Sequence, residues 1–395
     1  MTGRRNTQRF LVVTHVRHRK TSDGRLWAYG PYVREMDLWF RNVEQVRLVA
    51  PLVDGVPTAI ECAYVRSDIE FVSVPAFNFT TMKNLVNACL TLPGIAAVIV
   101  AGMQWSDHIH LRCPGNMGLL GAALQILFPL KRKTAKYAGN WDWGSRQPLS
   151  YRVQQMLLRN TLLTQNMTAL VYGAWPDRTR NILPFFTASF HDDEVEPISP
   201  RSLQGELRFI FVGSLTEGKR PLLAVKVVHR LREMGLPACI ELLGEGPERW
   251  SIEQYTNTHG LASVVTARGN VDRETVKKSL KEAHFLFLLS SSEGWPKAVA
   301  EAMFFACLPI STPVSCVPQM LDHGRRGLLS PPNVDEVVDA VSRLSVQPEE
   351  YEQQCNAARK WASQFTLEAF EREVALLTRY AHFQSEARKQ GFYWE

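Results

Sequence analysis

The chain has no C-x-x-C pair, no Cys/His cluster and no apolar run long enough to cross a bilayer. Its seven cysteines, at positions 62, 89, 113, 239, 307, 316 and 355, are odd in number and widely spaced. That excludes a disulfide scaffold or a zinc ribbon and suits reduced thiols in a cytoplasmic protein. The longest apolar stretches, MGLLGAALQILFPL (117–130) and LPGIAAVIVAGM (92–103), fall short of the roughly 20 residues a spanning helix needs, so no transmembrane helix is expected. The start, MTGRRNTQRFLVVTHV, carries only a short apolar stretch before His15, too little for a secretion signal. Internal repeats and low-complexity tracts are absent. The aromatics do not interleave with the basic clusters and no reading motif is present, which argues against a nucleic-acid-binding protein.

What is present is a chain of 395 residues, 45% hydrophobic and 21% charged. This length exceeds what one core supports, so two domains are expected, each large enough for a proper core. The charge is unevenly spread. Residues 1–190 hold 22 Lys+Arg against 11 Asp+Glu, a net of +11, while residues 191–395 hold 23 against 28, a net of −5. A basic first half suits an anionic partner such as a membrane surface, a lipid phosphate or a nucleic acid, or else is a solvated basic face. Its clusters are RHRK (17–20) and KRKTAK (131–136), the second directly after the apolar stretch 117–130. That stretch reads as a core helix with a solvated end or as a membrane-surface element.

The second half alternates short buried-strand runs with helix-length periodic segments. LRFIFVGSL (207–215) is a strand ending in Gly, and RPLLAVKVVHRLREMG (220–235) an amphipathic helix closed by Gly. PACIELLGEG (237–246), SVVTARGNV (263–271), HFLFLLSS (284–291) and FACLPISTPV (305–314) are further strands, with helices over 248–259, 273–283 and 297–305. This alternation predicts a doubly wound parallel sheet with its ligand at the carboxyl ends of the strands, where Gly213, Gly244, Gly246 and Gly294 fall. The first half has the same grammar. Strands are expected at 10–16, 45–52, 71–77 and 96–102, and helices at 32–42, 81–91 and 116–128. The segment 181–203, rich in Pro, Ser and acid, reads as a linker.

One stretch, SSSEGWPKAVAEAMFFACLPI (290–310), carries the chemistry. Gly294 lets the backbone turn tightly and Pro296 suits the first turn of a helix, lacking the N–H that would be left unpaired. The open N–H groups of that helix favour a phosphate, and Lys297 adds a charge. Glu293 stands in the turn and Glu301 inside the helix. A carboxylate beside a phosphate is repelled unless it binds hydroxyls instead. Two carboxylates flanking an anion site therefore suit a diphosphate with hydroxyls on both sides, which describes a nucleotide-sugar, with Glu301 on the ribose and Glu293 on the sugar.

Residues 293–301 resemble the E-x7-E motif of retaining GT-B glycosyltransferases, in particular the large family 4 (glycosyl transferases group 1). FVGSLTEGKRP (211–221) resembles that family's diphosphate loop, with Lys219 matching its lysine. Ser214 stands where an Arg is usual, and the neighbouring Arg220 is taken to compensate. LLGEGPE (242–248) and ARGNV (267–271) resemble the loops that hold the base, which brings Asn270 and Val271 into the donor site beside Trp295. The segments 316–337 and 361–380 also resemble the family's, so the likeness covers about 205–380 well and the first half weakly. SDHIHLRCPGN (106–116) resembles the family's acceptor strand end, making His110 and Arg112 acceptor candidates. Where many members carry a further His this chain reads KYAGNWDW (136–143), and Asn140 or Asp142 is left to line that space.

The resemblance implies an α/β fold of GT-B type, two Rossmann-like doubly wound parallel-sheet domains facing each other across a cleft. Residues 1–190 would bind the acceptor, 191–203 link, 204–360 bind the donor, and 361–395 form helices crossing back to the first domain. The implied activity is transfer of a sugar from a UDP- or GDP-linked donor to a hydroxyl of a saccharide or lipid-linked acceptor with retention, as in cell-surface polysaccharide assembly. Glu293, Lys219 and His110 are the catalytic candidates. No metal and no resident cofactor are expected, since no D-x-D stands at a strand end and Lys219, Arg220 and the helix N-terminus can neutralise the leaving diphosphate. The expected location is the cytoplasm, peripherally at the inner face of the cell membrane. Two alternatives remain at this stage: a nucleotide-sugar epimerase or hydrolase, which would consume donor without acceptor, and a nucleic-acid-binding protein, marked by steep salt dependence.

Overall fold

A computed structural model describes residues 8–58, 60–77 and 82–379, which divide into two compact units, 8–188 with 368–379 and 189–367. The strands of the first unit are β1 (Arg9–Val13), β2 (Arg19–Lys20), β3 (Leu26–Tyr29), β4 (Gln45–Pro51), β5 (Glu61–Ala63), β6 (Glu70–Val74), β7 (His108–Cys113), β8 (Arg132–Tyr137), β9 (Met167–Tyr172) and β10 (Ile182–Phe185). Its helices are α1 (Gly30–Phe40), α2 (Met82–Trp105), α3 (Asn116–Leu124) and α4 (Leu149–Arg159). Seven strands form a wholly parallel sheet in the order β10-β9-β8-β7-β1-β4-β6, and β2, β3 and β5 form a small antiparallel sheet. Parallel sheets are covered on both faces, and β1 shows it: Phe10, Leu11, Val12 and Val13 are all fully buried.

The apolar run 96–102, expected as a strand, is helical and lies within α2, while the next segment supplies β7. Its burial explains the difference. Ile95, Ile99 and Met103 are buried at intervals of four, whereas Ala97, Ala101 and Gln104 are exposed, which is the period of a helix with one face on the sheet. An unbroken apolar run fits either structure until a partner surface selects one. The helix expected at 116–128 shortens to α3 and a 3-10 turn, Gln125–Leu127. Residue 81 of the helix expected at 81–91, and residues 380–395 of the helices expected at 361–395, lie outside the described residues.

KRKTAK does not form a solvated basic face. It enters β8, inside the parallel sheet, with Lys133 and Lys136 buried. Lys133 Nζ donates to the Phe128 carbonyl at 2.7 Å, Lys131 Nζ to the carbonyls of Gln104 and Ser106, and Arg132 to that of Thr378. Lys136 Nζ pairs with Glu35 of α1 at 2.9 Å, and Arg112 of β7 pairs with the same carboxylate. Phe370 lies 4.8 Å from the Lys136 ammonium. Thr187 Oγ1 also donates to Glu35, at 3.4 Å. One buried carboxylate thus holds a buried ammonium and a largely buried guanidinium.

The second unit contains β11 (Leu207–Val212), β12 (Ala238–Leu243), β13 (Val265–Gly269), β14 (Phe285–Leu288), β15 (Leu308–Ser311) and β16 (Leu328–Leu329). They form a parallel sheet ordered β13-β12-β11-β14-β15-β16. Around it lie α5 (Pro221–Glu233), α6 (Arg249–Thr258), α7 (Arg273–Glu282), α8 (Lys297–Phe304), α9 (Val317–Met320), α10 (Val334–Ser345) and α11 (Pro348–Ala362). The last helix, α12 (Leu367–Arg379), belongs with the first unit from Glu368 onward, where Phe370 packs edge-on against Phe185 at 5.4 Å. Caps define several ends: Asp272 accepts from Thr275 N at the start of α7, and Asn333 accepts from Asp335 N and Glu336 N at the start of α10.

The acidic stretch that follows residue 190 is held against α7. Glu194 pairs with Arg273 (2.7 Å) and Lys277 (2.9 Å), and Glu196 with Lys281 (2.8 Å), three basic residues spaced by four along one helix face. Arg201 completes the seam by donating to the carbonyls of Leu280, Lys281, Phe305 and Ala306. Among the described residues, no helix is long and apolar enough to cross a membrane.

Removing the shared carboxylate tests the buried network of the first unit. Glu35→Gln leaves Arg112 and Lys136 as buried cations without their counter-charge and is expected to cost about 3–5 kcal/mol. Urea unfolding of the variant against the parent measures it, and a loss below about 1 kcal/mol would contradict this account.

Candidate functional site

In the second unit the strand order runs outward in both directions from the neighbours β11 and β14. The carboxyl ends of these two strands therefore flank a topological switch point, where connections diverge and leave a crevice. The loops leaving them carry most of the residues singled out in the sequence.

Backbone contact between neighbouring loops sets the geometry. Gly213 N donates to Leu243 O and Leu215 N to Glu245 O, both at 2.9 Å, so the chains leaving β11 and β12 continue side by side. A Cβ at Gly244 would stand 1.9 Å from Gly213 O, and one at Gly246 would stand 2.3 Å from Leu215 O. Only glycine fits there. The β11 loop then forms a 3-10 turn, Glu217–Lys219, and enters α5 through Arg220 in the left-handed region, φ 52°.

A second tie joins this turn to the loop after β14. Ser291 N donates to Gly218 O at 2.8 Å and its hydroxyl donates to the same oxygen at 3.1 Å. Next to this seam Lys219 Nζ lies 2.9 Å from Glu293 Oε1. Arg220 Nη1 donates to Leu289 O at 2.8 Å, which holds its guanidinium at the end of β14, and Ser214 is exposed. Pro296 caps α8, which begins at Lys297, and Glu301 lies one turn inside it, where it accepts from the Ser189 hydroxyl.

Gly213, Ser214, Lys219, Arg220, Gly244, Gly246, Glu293, Gly294, Pro296, Lys297 and Glu301 are thus set by the loops of β11, β12 and β14. Asn270 and Val271 follow β13, where Gly244 N donates to Gly269 O at 2.8 Å, one strand further out. Trp295 goes elsewhere. It is buried against Trp361 and Phe365, with ring centroids at 6.2 and 5.3 Å, so it anchors the turn to α11 rather than facing a ligand. Ser189 lies in the segment read as a linker, and Ser291 ends the strand run 284–291 with no charge to mark it, so the sequence singles out neither.

This arrangement can do two things. An ammonium, a guanidinium and the N-terminal amides of α8 favour an anion. Two carboxylates on either side accept hydrogen bonds from hydroxyls.

The acceptor candidates of the first unit are placed differently. His110 is fully buried: its Nδ1 bonds Thr134 Oγ1 at 2.9 Å and its ring lies 4.4 Å from that of Trp39. Burial, with the Arg112 charge nearby, pushes it down to about 3. Arg112 is committed to Glu35 and lies over the Tyr32 ring at 5.6 Å. Asn140 is buried, its side-chain oxygen accepting from Asp142 N at 2.9 Å. Of the four histidines in the described part of this unit, His18, His108 and His110 are buried and His15 is exposed. His15 stands just beyond the carboxyl end of β1, beside Gly115, whose Cβ would lie 2.7 Å from the His15 Nδ1. Desolvation and the Arg112 charge lower its pKa. The signal for it was a histidine two residues past an apolar strand.

Residues 193–361 match the protein family described as Glycosyl transferases group 1. The chain is 27% identical over 282 residues to the putative colanic acid biosynthesis glycosyltransferase WcaL of Salmonella typhimurium, covering 67% of this chain and 68% of that one. It is 26% identical over 162 residues to the alpha-D-kanosaminyltransferase of Streptomyces kanamyceticus, covering 40% and 42%. Among solved structures it resembles HepE of Anabaena in complex with UDP and glucose, with a TM-score of 0.66 at 12% identity over 93% of this chain and 98% of that chain. Sucrose-phosphate synthase of Thermosynechococcus elongatus gives a TM-score of 0.65 at 16% identity over 94% and 98%. The fold is the two-domain Rossmann-like GT-B fold, and the family match with the sequence relatives supports a glycosyltransferase.

Two substitutions separate backbone from charge in this site. Gly244→Ala forces the β11 and β12 loops apart and is expected to destabilise the second unit by about 2 kcal/mol or more. Lys219→Met removes the more exposed partner of the pair and is expected to cost less, about 1 kcal/mol. Denaturant unfolding of both reads the contrast, and equal losses would mean that the ion pair, not the glycine contact, holds the loops.

Proposed function

We propose that the protein transfers a sugar from a nucleotide-diphosphate donor to a hydroxyl of a saccharide or lipid-linked acceptor, with retention at the anomeric carbon. One observation carries this reading. Lys219, Arg220 and the N-terminus of α8 converge beside two carboxylates, Glu293 and Glu301, at the switch point between β11 and β14. The diphosphate sits on the cations and the amides, the ribose hydroxyls replace Ser189 on Glu301, and the sugar hydroxyls take Glu293 from Lys219, freeing the ammonium for phosphate.

In the transfer, the bond between the anomeric carbon and the diphosphate oxygen breaks while the acceptor oxygen bonds that carbon on the same face. The acceptor proton passes to the departing phosphate oxygen. Charge developing on the leaving group is met by Lys219, by Arg220 in place of the arginine missing at Ser214, and by the helix amides. These groups neutralise it without a metal ion. The UDP and glucose held by HepE support UDP as the first donor base to test. The colanic acid relative supports a place in polysaccharide assembly, with the enzyme working on the cytoplasmic side. His15, not His110, is the histidine we assign to the acceptor.

Thermal stability against UDP, GDP, ADP, dTDP and CMP tests the donor site. One diphosphate, expected to be UDP, raises the midpoint of the parent and raises it less in Glu301→Ala; no shift with any of them would refute the site. The anomeric proton coupling of the product reads retention, and donor consumption without acceptor would indicate an epimerase or hydrolase instead. For the histidines, His15→Ala is expected to lower transfer at least about tenfold, as loss of a positioned polar group does, with the diphosphate shift intact. His110→Ala should lower the melting temperature instead. The reverse pattern would restore His110 as the acceptor residue.

A further inference from the structure

Helix α4 is turned inside out. Its inward side carries Gln154 and Gln155, both buried, with Leu158 between them on the helix surface. Its opposite stripe carries Leu149, Val153 and Met156, spaced by four and three, all exposed, with Leu149 at 77%. The inward glutamines have structural work. Gln154 Oε1 accepts from Gly115 N at 3.3 Å, and Gln155 Nε2 donates to the carbonyls of Asn140 and Trp141 at 3.2 and 3.3 Å. The outward apolar residues face solvent.

The apolar surface continues past the end of the helix. Leu162 is 78% exposed and Leu130 90%, and Leu127 is exposed as well. These two segments are neighbours: Gln125 Nε2 donates to Leu163 O at 3.2 Å and Asn166 Nδ2 to Pro129 O at 2.9 Å. Large apolar side chains gathered in this way mark an interaction surface.

Charge decides which partner. Residues 114–190 hold nine Lys+Arg, two Asp and no Glu. Lys131, Arg132, Lys133 and Lys136 are spent on internal contacts, and Arg159 pairs with Asp177 at 2.7 Å. Arg146, Arg152, Arg178 and Arg180 are exposed. Arg152 lies on α4 itself. The 177–181 segment is bound to the end of that helix through Arg159 and through Asn181, which donates to Leu158 O at 2.6 Å. A second copy of this chain would bring two arginine rims together, and a saccharide would leave the leucines unmatched. An anionic bilayer satisfies both features, with apolar side chains at the acyl boundary and guanidinium groups among the phosphates.

We propose that the exposed face of α4, with Leu127, Leu130 and Leu162, is a monotopic docking surface for an anionic membrane. The proposal goes beyond the transfer reaction, since it concerns the first unit alone and holds whichever nucleotide the second unit binds. It also moves the membrane contact away from KRKTAK, whose basic side chains are engaged inside the fold.

Flotation of the full chain with vesicles of phosphatidylcholine, with and without phosphatidylglycerol, tests it. Binding to the anionic vesicles only, weakening as salt is raised, is expected. Leu130→Glu and Met156→Glu are each expected to weaken it about tenfold, and Arg152→Gln with Arg178→Gln to weaken it further. All of these positions are exposed, so the melting temperature and the diphosphate-induced shift should stay at the parent value, which separates failure of the surface from failure of the donor site. Absence of flotation, or flotation unchanged in both glutamate variants, overturns the proposal. So does a dimer in sedimentation that Met156→Glu dissociates, which would make a second copy the occupant.

Discussion

The second unit depends on the place where two backbones meet. Gly213 and Gly244 leave so little room that a single methyl at 244 would overlap a carbonyl oxygen at 1.9 Å. With the β11 and β12 loops in contact, Leu215 is fully buried and the 3-10 turn behind it has one place to go. Lys219 rides on that turn and meets Glu293 from the other side of the switch point. The placement of charge is therefore a consequence of backbone packing rather than of the partly exposed charged pair itself. Such a site is organised before its ligand arrives, which is where electrostatic stabilisation is most effective.

In the first unit, charge is used in the opposite way. Its excess of +11 suggests a basic surface, yet the densest cluster is built into β8 and satisfied by carbonyls and by Glu35. A buried lysine is tolerable only with such partners. The polarity of α4 is reversed as well, with glutamines inside and leucine, valine and methionine outside. Sequence-level charge thus misplaces the KRKTAK cluster, because the carboxylate that answers Lys136, Glu35 of α1, lies far along the chain.

Much of the second unit was legible. Short apolar runs separated by periodic segments imply a parallel sheet, and the glycines at their ends imply tight loops. The turn Glu293-Gly294-Trp295-Pro296 before α8 was readable from the same local rules. Trp295 was not, because its neighbours, Trp361 of α11 and Phe365 just beyond that helix, lie far along the chain. His110 looked like a strand-end residue and is enclosed by Phe10, Trp39 and Thr134, which belong to three other elements. His15 is a similar residue beyond the end of β1, and it reaches the surface.

Determined by the sequence alone were the alternation of strands and helices in the second half, the glycines that permit close loops, the helix start at Pro296 and the two glutamates eight residues apart. Each is a local property, fixed by backbone sterics or by the period of side chains along a few turns. Tertiary structure decided that 96–102 is helix, that KRKTAK is interior, that Lys219 meets Glu293, and which histidine reaches the surface. Burial and pairing belong to segments far apart in the chain, so no local pattern contains them. A run of apolar residues takes the form its partner surface selects, and a buried charge is stable only where a distant residue answers it.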